Sequence, residues 1–118
     1  MKTYRGRREA SGCRVTVDDR ALDPRLDLAA APATGFEWGY DGAGPARLAL
    51  AILADHLDDD ALGLSRFKQF RADVIARIRG DDWSLTTEQI DRALAESGNV
   101  TEVAMTLDQL LNKVRGRA

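Results

Sequence analysis

Cysteine and histidine are almost missing from this chain of 118 residues, which contains one of each, Cys13 and His56. A lone cysteine cannot form a disulfide within the chain, which is typical of proteins from a reducing compartment. Nothing in the sequence places these two residues together as a Cys–His nucleophile system, and a single cysteine is too few for a thiolate-rich metal centre. We therefore expect a cytoplasmic protein that is not an enzyme and that holds no cofactor or metal.

Long apolar runs are missing as well. The longest, residues 48–54, is much shorter than the roughly 20 residues that a membrane-spanning helix requires. The first eight residues are mostly polar and charged and lack the apolar core of a signal peptide. An excess of positive charge is also absent, because 17 basic residues face 19 acidic ones and the net charge is −2. This balance predicts neither a membrane protein nor a strong nucleic-acid binder.

The residues that are present suit a globular domain with one modest core, because 44% of them are hydrophobic and 31% are charged. Apolar residues alternate with polar ones before residue 41 and recur at helical spacing after residue 45. We predict one α+β domain over residues 1–118, with a small antiparallel N-terminal sheet packed on a buried central helix and followed by three further helices. Residues 1–82 would form the sheet and a helical hairpin, and residues 83–118 a C-terminal helical pair.

The N-terminal residues predict a β-hairpin. Residues 3–7 and 13–18 form its strands, with a turn at residues 10–12, and apolar residues alternate along the second strand. Its four arginines are Arg5, Arg7, Arg8 and Arg14. They indicate either a phosphate-binding patch or a charged edge strand that resists pairing with other chains. Acidic residues nearby dilute the positive charge and favour the edge strand.

The middle of the chain predicts a strand that leads into a buried helix. Phe36, Trp38 and Tyr40 alternate with other residues, which is typical of a strand with one aromatic face. Pro45 suits the first turn of a helix that continues to Leu57. This helix is apolar around almost its whole circumference, so we expect it to be buried on most sides.

The glycines in front of this helix raise the question of a phosphate-binding turn, since a helix N-terminus attracts anions. The spacing of Gly39, Gly42 and Gly44 matches neither the dinucleotide fingerprint nor the P-loop. Glu37 and Asp41 would also repel an anion. A tight turn explains these glycines without a ligand.

Three helices are predicted to follow the central one. The second extends from residue 61 or 65 to residue 79 and has one apolar stripe. The third, residues 87–97, starts at a capping box between Thr86 and Gln89 and ends at a glycine. The fourth covers residues 101–115 and has an apolar side.

One group of neighbouring residues has metal-ligand chemistry: Asp55, His56 and the aspartates at 58–60. Consecutive aspartates point in different directions, and no second group of ligands is evident in the sequence. A solvated break between two helices is therefore favoured over a metal site. A histidine near a helix C-terminus is also stabilised by the helix dipole.

The aromatic and helical motifs carry a family resemblance. The runs Thr-Gly-Phe-Glu-Trp-Gly-Tyr at 34–40 and Gly-Pro-Ala-Arg-Leu-Ala-Leu-Ala at 44–51 resemble an uncharacterised family of small prokaryotic and phage proteins. That family opens with Tyr-Arg-Gly-Arg, as residues 4–7 do, and continues with Phe-Lys and Trp-x-Leu-Thr segments, matched at 67–68 and 83–86. Where this chain has an aspartate after the aromatic run, the family more often has glycine. The resemblance implies a mobile-element setting and no particular activity.

A second resemblance is confined to the C-terminal region. Residues 93–104 resemble the first half of a Fis-type helix-turn-helix, in which an Ala-Leu helix turns through Gly-Asn into a helix bearing Thr-Glu-x-Ala. The sequence that follows lacks the second turn, which would open a recognition helix. If DNA is bound here, the contacts would come from Lys113, Arg115 and Arg117.

The leading prediction is a non-enzymatic protein-interaction module from a phage or mobile element, such as an accessory or anti-defence inhibitor that binds a host protein. The alternative is a small DNA-binding transcriptional regulator that uses the C-terminal helices. The predicted acidic partner-binding residues are Asp58, Asp59, Asp60, Asp81 and Asp82. The predicted apolar ones, which we expect to bind a host protein or a second copy of the chain, are Leu107, Leu110, Leu111 and Val114.

Overall fold

The computed structural model describes the backbone of residues 2–28 and 35–105, and the side chains as far as residue 96. Within that part of the chain the fold is α+β, as predicted, with a four-stranded antiparallel sheet in the order β3-β2-β1-β4. The strands are β1 (Thr3–Glu9), β2 (Gly12–Val17), β3 (Arg20–Ala21) and β4 (Asp82–Thr86). The helices are α1 (Ala43–Leu57), α2 (Asp60–Asp73) and α3 (Thr87–Met105), with a short 3-10 helix at Ile75–Arg77. None of these helices is long and apolar enough to cross a membrane.

The predicted hairpin is confirmed, but its position in the sheet was not foreseen. Strands β1 and β2 pair in register from Tyr4 opposite Val17 to Glu9 opposite Gly12. Strand β1 is internal, because β2 and β4 flank it, whereas β3 pairs only with Thr16 and Val17 of β2. The interpretation of the hairpin arginines as protection of an edge strand is therefore wrong for Arg5, Arg7 and Arg8 on β1, whereas Arg14 lies on the part of β2 that β3 does not cover.

The predicted aromatic strand is also wrong. Residues 35–38 are irregular and residues 39–40 form a bend. The Gly39 amide donates to the Ile75 carbonyl at 3.0 Å, and Gly39 has a φ of 88°. This segment is therefore bonded to the 3-10 helix region and not to a strand. The fourth strand of the sheet is β4, which pairs with β1.

Helix α1 is the centre of the core, as predicted, and it begins at Ala43, so Pro45 lies in its first turn. It packs against the sheet on one side and against α2 on the other. Gly63 of α2 lies against the α1 backbone, since a Cβ added there would be 3.3 Å from the Ala54 nitrogen. A glycine at this crossing allows the two helices to approach closely. The core side chains include Tyr4, Val15, Val17, Leu48, Ile52, Leu53, Phe70, Ile75 and Ile90.

The helix boundaries after α1 agree in part with those predicted from the sequence. The aspartates at 58–60 break the two helices as expected: Asp58 has a φ of 53°, and the Asp59 carboxylate accepts the Leu62 amide at 3.1 Å as the N-cap of α2. The capping box is confirmed, since the Thr86 amide donates to Gln89 Oε1 at 2.9 Å and the Gln89 amide donates to Thr86 Oγ1 at 3.2 Å. Helix α2 ends at Asp73, earlier than predicted.

Helix α3 contradicts the predicted stop at Gly98. It continues through Gly98 and Asn99 to Met105, so residues 87–105 form one helix and not two. An isolated glycine inside a helix costs only about 1 kcal/mol relative to alanine, so it does not by itself end a helix. The Gly-Asn turn that a helix-turn-helix would need is therefore not formed. The rest of the predicted fourth helix lies outside the described residues.

Candidate functional site

Arg8 is the centre of a polar network at the C-terminal end of β1, on the side of the sheet that faces the helices. Its guanidinium donates to Glu37 Oε1 at 2.7 Å and to the carbonyl oxygens of Trp38 and Gly80 at 2.9 and 3.1 Å. It also donates to Asp81 Oδ1 at 3.1 Å and lies 4.7 Å from the centroid of the Trp38 ring. One arginine therefore ties the irregular aromatic segment and the loop before β4 to the sheet.

The protonation states in this network are those of a structural ion pair. Burial acts to raise the pKa of Glu37, but hydrogen bonds from Arg8 and Cys13 outweigh it and hold that pKa below its ordinary value. Burial, followed by the hydrogen bond to Glu37, raises the pKa of Cys13 to about 11. A thiol with so high a pKa stays protonated at neutral pH and is a poor nucleophile. The network can position backbone and side chains, and it does not activate the cysteine.

A second polar cluster lies at the other end of β1. Asp55 Oδ2 accepts hydrogen bonds from the Tyr4 hydroxyl at 2.5 Å and from Lys2 Nζ at 3.1 Å. Burial and the bond to Asp55 raise the pKa of Tyr4. His56 lies on a different side of α1, where its Nε2 is 2.7 Å from Asp91 Oδ1. Among the residues that the structure describes, no three acidic, histidine or cysteine side chains come together in a way that would hold a metal ion.

A cleft of about 500 Å³ opens beside this second cluster. The charged groups at its wall largely bind one another or neighbouring residues. Lys2 is paired with Asp55, and Arg25 makes two hydrogen bonds each to Asp27 and Asp60. A polar ligand would have to displace these pairs, which weakens the case for a small-molecule site here.

The predicted acidic partner-binding residues at the α1–α2 break already have roles in the fold. Asp59 caps α2, and Asp60 accepts from Arg25 at 2.8 and 2.9 Å. The hydrogen bonds from Arg25 lower the pKa of Asp60. Asp58 is exposed.

The other predicted acidic pair lies at the opposite end of the sheet. Asp81 binds Arg8 at 3.1 Å, and Asp82 Oδ1 is 3.7 Å from Arg7 Nε. Strand β1 has seven residues, so at about 3.3 Å per residue its two ends are roughly 20 Å apart. The structure therefore does not gather the two acidic groups into one patch.

The sheet surface that faces away from the helices carries three of the four hairpin arginines. Arg7 lies directly opposite Arg14, and Arg5 lies opposite Thr16 on β2 and Ser84 on β4. All three arginines are exposed. We call this surface, defined by Arg5, Arg7 and Arg14, the arginine face. Sequence reasoning named these residues but could not separate them from Arg8, which points to the other side of β1.

The ion pairs that the arginine face makes within the chain have long N···O distances. Arg7 Nε is 3.7 Å from Asp82, and Arg14 Nε is 3.7 Å from Glu9. The two arginine side chains remain 71% and 70% exposed. Like charges directly opposite each other destabilise a sheet, so the placement of Arg7 against Arg14 has an energetic cost to the fold.

The predicted C-terminal sites lie outside the described residues. They comprise the apolar residues Leu107, Leu110, Leu111 and Val114 and the basic residues Lys113, Arg115 and Arg117. Their predicted roles remain predictions.

A comparison with protein-family models places most of the chain in one family. The model for a family of unknown function, DUF6166, matches residues 4–96. The chain belongs to DUF6166. The match includes every segment of the uncharacterised-family resemblance, from residues 4–7 to residues 83–86. Comparison with curated proteins gave no significant match, and neither did comparison with solved structures.

Two segments that carry the resemblance described from the sequence lie within the matched residues and meet in the tertiary structure. The Tyr-Arg-Gly-Arg segment lies in β1 and the Trp-x-Leu-Thr segment lies in β4, where Gly6 is directly opposite Trp83. The Trp83 ring meets the Trp38 ring edge-on, with centroids 5.6 Å apart and an interplanar angle of 81°. Gly6, Trp83 and Trp38 therefore form one packed unit on the helix side of the sheet, whereas Arg5 and Arg7 of the first segment belong to the arginine face.

Proposed function

We propose that this protein is a non-enzymatic protein-interaction module that binds its partner through the arginine face. The observation that carries the proposal is the exposure of Arg5, Arg7 and Arg14 on one face of the sheet, where Arg5 and Arg7 lie on the internal strand β1 and protect no sheet edge. The core lies on the other side of the sheet, with Tyr4, Val15 and Val17 packed toward α1. An open, charged sheet surface backed by a packed core is suited to binding another macromolecule.

The state of the candidate reactive groups supports a role without catalysis. The Cys13 thiol has a raised pKa, and Glu37 is held as the partner of Arg8. His56 has a side chain only 8% exposed and paired with Asp91. Each of these groups serves an internal contact, whereas a catalytic group must reach substrate.

The biological setting is also part of this proposal. The resemblance to small prokaryotic and phage proteins supports an origin in a phage or mobile element. A small binding protein in that setting would act as an accessory factor or as an inhibitor of a host protein, including one that takes part in defence.

Affinity capture from a host lysate tests the use of the arginine face. Bulky substitutions on that face, Thr16→Trp and Ser84→Trp, should abolish recovery of a protein that the unaltered chain captures. Aromatic residues are well tolerated in strands, so the fold should persist. The matched control is Lys68→Trp on the exposed side of α2, which should capture the same protein. Equal capture by all variants would contradict the proposal.

DNA binding by the C-terminal helices is the alternative function. It would rest on Lys113, Arg115 and Arg117, which lie outside the described residues. The unbroken course of α3 through Gly98 weighs against it, because a helix-turn-helix needs a turn there. A gel shift that weakens steeply with salt would favour this alternative.

A further inference from the structure

We infer that the arginine face recognises a carboxylate-rich segment of the partner protein. This inference rests on the proposed function and adds the chemistry of the partner to it. It is carried by the positions of three arginines on β1 and β2 and by the acidic residues around them.

The spacing of the arginines suits several carboxylates at once. Arg7 and Arg14 occupy a directly opposed pair, whose Cβ atoms in such a ladder are about 5 Å apart. Arg5 follows on the same face of β1, roughly 7 Å further along the strand. Each guanidinium can bind a carboxylate through two parallel hydrogen bonds. The three side chains therefore form one compact cationic surface.

This surface is only partly neutralised within the described part of the chain. Arg5 has no ion pair there, and the carboxylates near Arg7 and Arg14 are each 3.7 Å away. The repulsion between Arg7 and Arg14 disfavours the isolated fold slightly. An acidic ligand bound between the two guanidinium groups would remove that repulsion. The removal of the repulsion would make the free energy of binding more favourable.

The shape of the surface favours inserted side chains over a flat contact. A depression of about 260 Å³ lies among the arginines, and its wall also includes Gly6, Thr16, Asp82 and Trp83. Aspartate or glutamate side chains of a partner can enter this depression and meet guanidinium groups on more than one side.

The residues around the face favour a short acidic protein segment over a nucleic acid. Glu9 and Asp82 flank the arginines, and Asp18 and Asp19 follow β2. These carboxylates confine the cationic surface to the three arginines, so a ligand of either kind is repelled where its negative charge extends beyond them. The outward-facing positions of β1, β2 and β4 also carry no aromatic residue, and Trp83, which lies at the wall of the depression, packs its ring against Trp38 on the helix side, so the face lacks the aromatic platform of single-strand binding surfaces.

Binding of defined probes tests the inference. We would measure fluorescence anisotropy of a labelled ten-residue glutamate peptide and of a ten-nucleotide single-stranded DNA, using the full chain. The peptide should bind more tightly than the DNA, and its affinity should fall as salt rises. Each single change, Arg5→Gln, Arg7→Gln or Arg14→Gln, should weaken peptide binding about two- to fivefold.

A triple variant at these arginines should weaken peptide binding far more than a control triple that removes the same charge elsewhere. Suitable control changes are Lys68→Gln, Arg79→Gln and Arg92→Gln, all at exposed positions away from the arginine face. Equal losses in the two triples would show general charge attraction and overturn the inference. Tighter binding of the DNA, or no binding of the peptide, would also overturn it.

The capture experiment separates this inference from the proposed function. Loss of capture with Thr16→Trp but not with the triple Arg→Gln variant would keep the proposed function and overturn the acidic partner. Capture that is insensitive to Thr16→Trp would overturn the use of this face altogether.

Discussion

Gly6 lies directly beneath the indole ring of Trp83. The two residues are paired across β1 and β4, and a Cβ added at Gly6 would overlap Cε2 and Nε1 of the ring. The absence of a side chain at position 6 is what allows Trp83 to lie flat enough to meet Trp38 edge-on. A glycine in β1 and two tryptophans distant in sequence are thus parts of one packing arrangement.

Gly6→Ala should therefore destabilise the protein. The added methyl group forces the Trp83 ring to move within a packed region, at a cost of about 1–3 kcal/mol. Chemical denaturation would measure the free energy of unfolding. The control is Gly35→Ala, where an added Cβ meets nothing within 4 Å and the effect should be small. Equal stability of the two variants would contradict this packing.

Trp38→Ala should cost roughly 3–5 kcal/mol, because the side chain is completely buried and its indole nitrogen donates to the Gly80 carbonyl at 2.9 Å. Tyr40→Ala, in the same segment, is the comparison, since Tyr40 is 49% exposed and its loss should matter much less. A thermal melt of each variant gives the answer. If Trp38→Ala kept its melting temperature but lost a partner, Trp38 would belong to a binding site.

Glu37→Gln should make the free energy of unfolding depend less on pH between pH 7 and pH 3. The pKa of Glu37 is lower in the folded state than its unfolded value of about 4.3. The ionised carboxylate therefore contributes to the free energy of unfolding above the unfolded pKa, and this contribution is lost as the pH falls through the folded pKa. At pH 7 the variant should be about 1–2 kcal/mol less stable, after allowing for the partial exposure of the Arg8–Glu37 pair.

Urea denaturation at pH 7 and at pH 3 would test this expectation for Glu37. The difference in unfolding free energy between wild type and Glu37→Gln should be smaller at pH 3 than at pH 7. Arg25 also lowers the pKa of Asp27 and Asp60, so both proteins should lose some stability in acid. Glu88→Gln, an exposed control, should parallel the wild type at both values. A constant difference between wild type and Glu37→Gln would show that the ionised carboxylate does not stabilise the fold.

Arg14→Thr should keep or slightly raise stability while weakening the binding of an acidic peptide. The change removes the repulsion with Arg7 and introduces a residue that favours strands. Together the two effects should raise the free energy of unfolding by at most about 1 kcal/mol. Thermal melts and peptide titrations on the same samples would measure both effects. A clear loss of stability would show that Arg14 serves the fold through its contact with Glu9.

The apolar C-terminal residues should mediate self-association or contact with a host protein. Light scattering of the full chain should give a dimer, and a chain that ends after Met105 keeps all of α3 but removes Leu107, Leu110, Leu111 and Val114. The shortened chain should be a monomer. A monomeric mass for the full chain at high concentration would contradict the predicted dimer.

Interactions between residues close in sequence could be predicted from the chain itself. The β1–β2 hairpin depends on alternation and a tight turn, and the start of α3 depends on two reciprocal hydrogen bonds between Thr86 and Gln89. The apolar composition of α1 requires a buried central helix in any compact fold. These features follow from local spacing and from the exclusion of apolar surface from water.

Tertiary structure decided the features that depend on distant partners. Alternation at residues 36–40 indicated a strand, but the hydrogen bonds of this segment go to Ile75 and Gly80, and β4 takes the place beside β1. Arg7 and Arg8 are adjacent and chemically identical in the sequence. The pleat of β1 turns Arg8 toward Glu37 and leaves Arg7 on the open face, because successive side chains of a strand point to opposite sides and only the packed helices determine which side is covered.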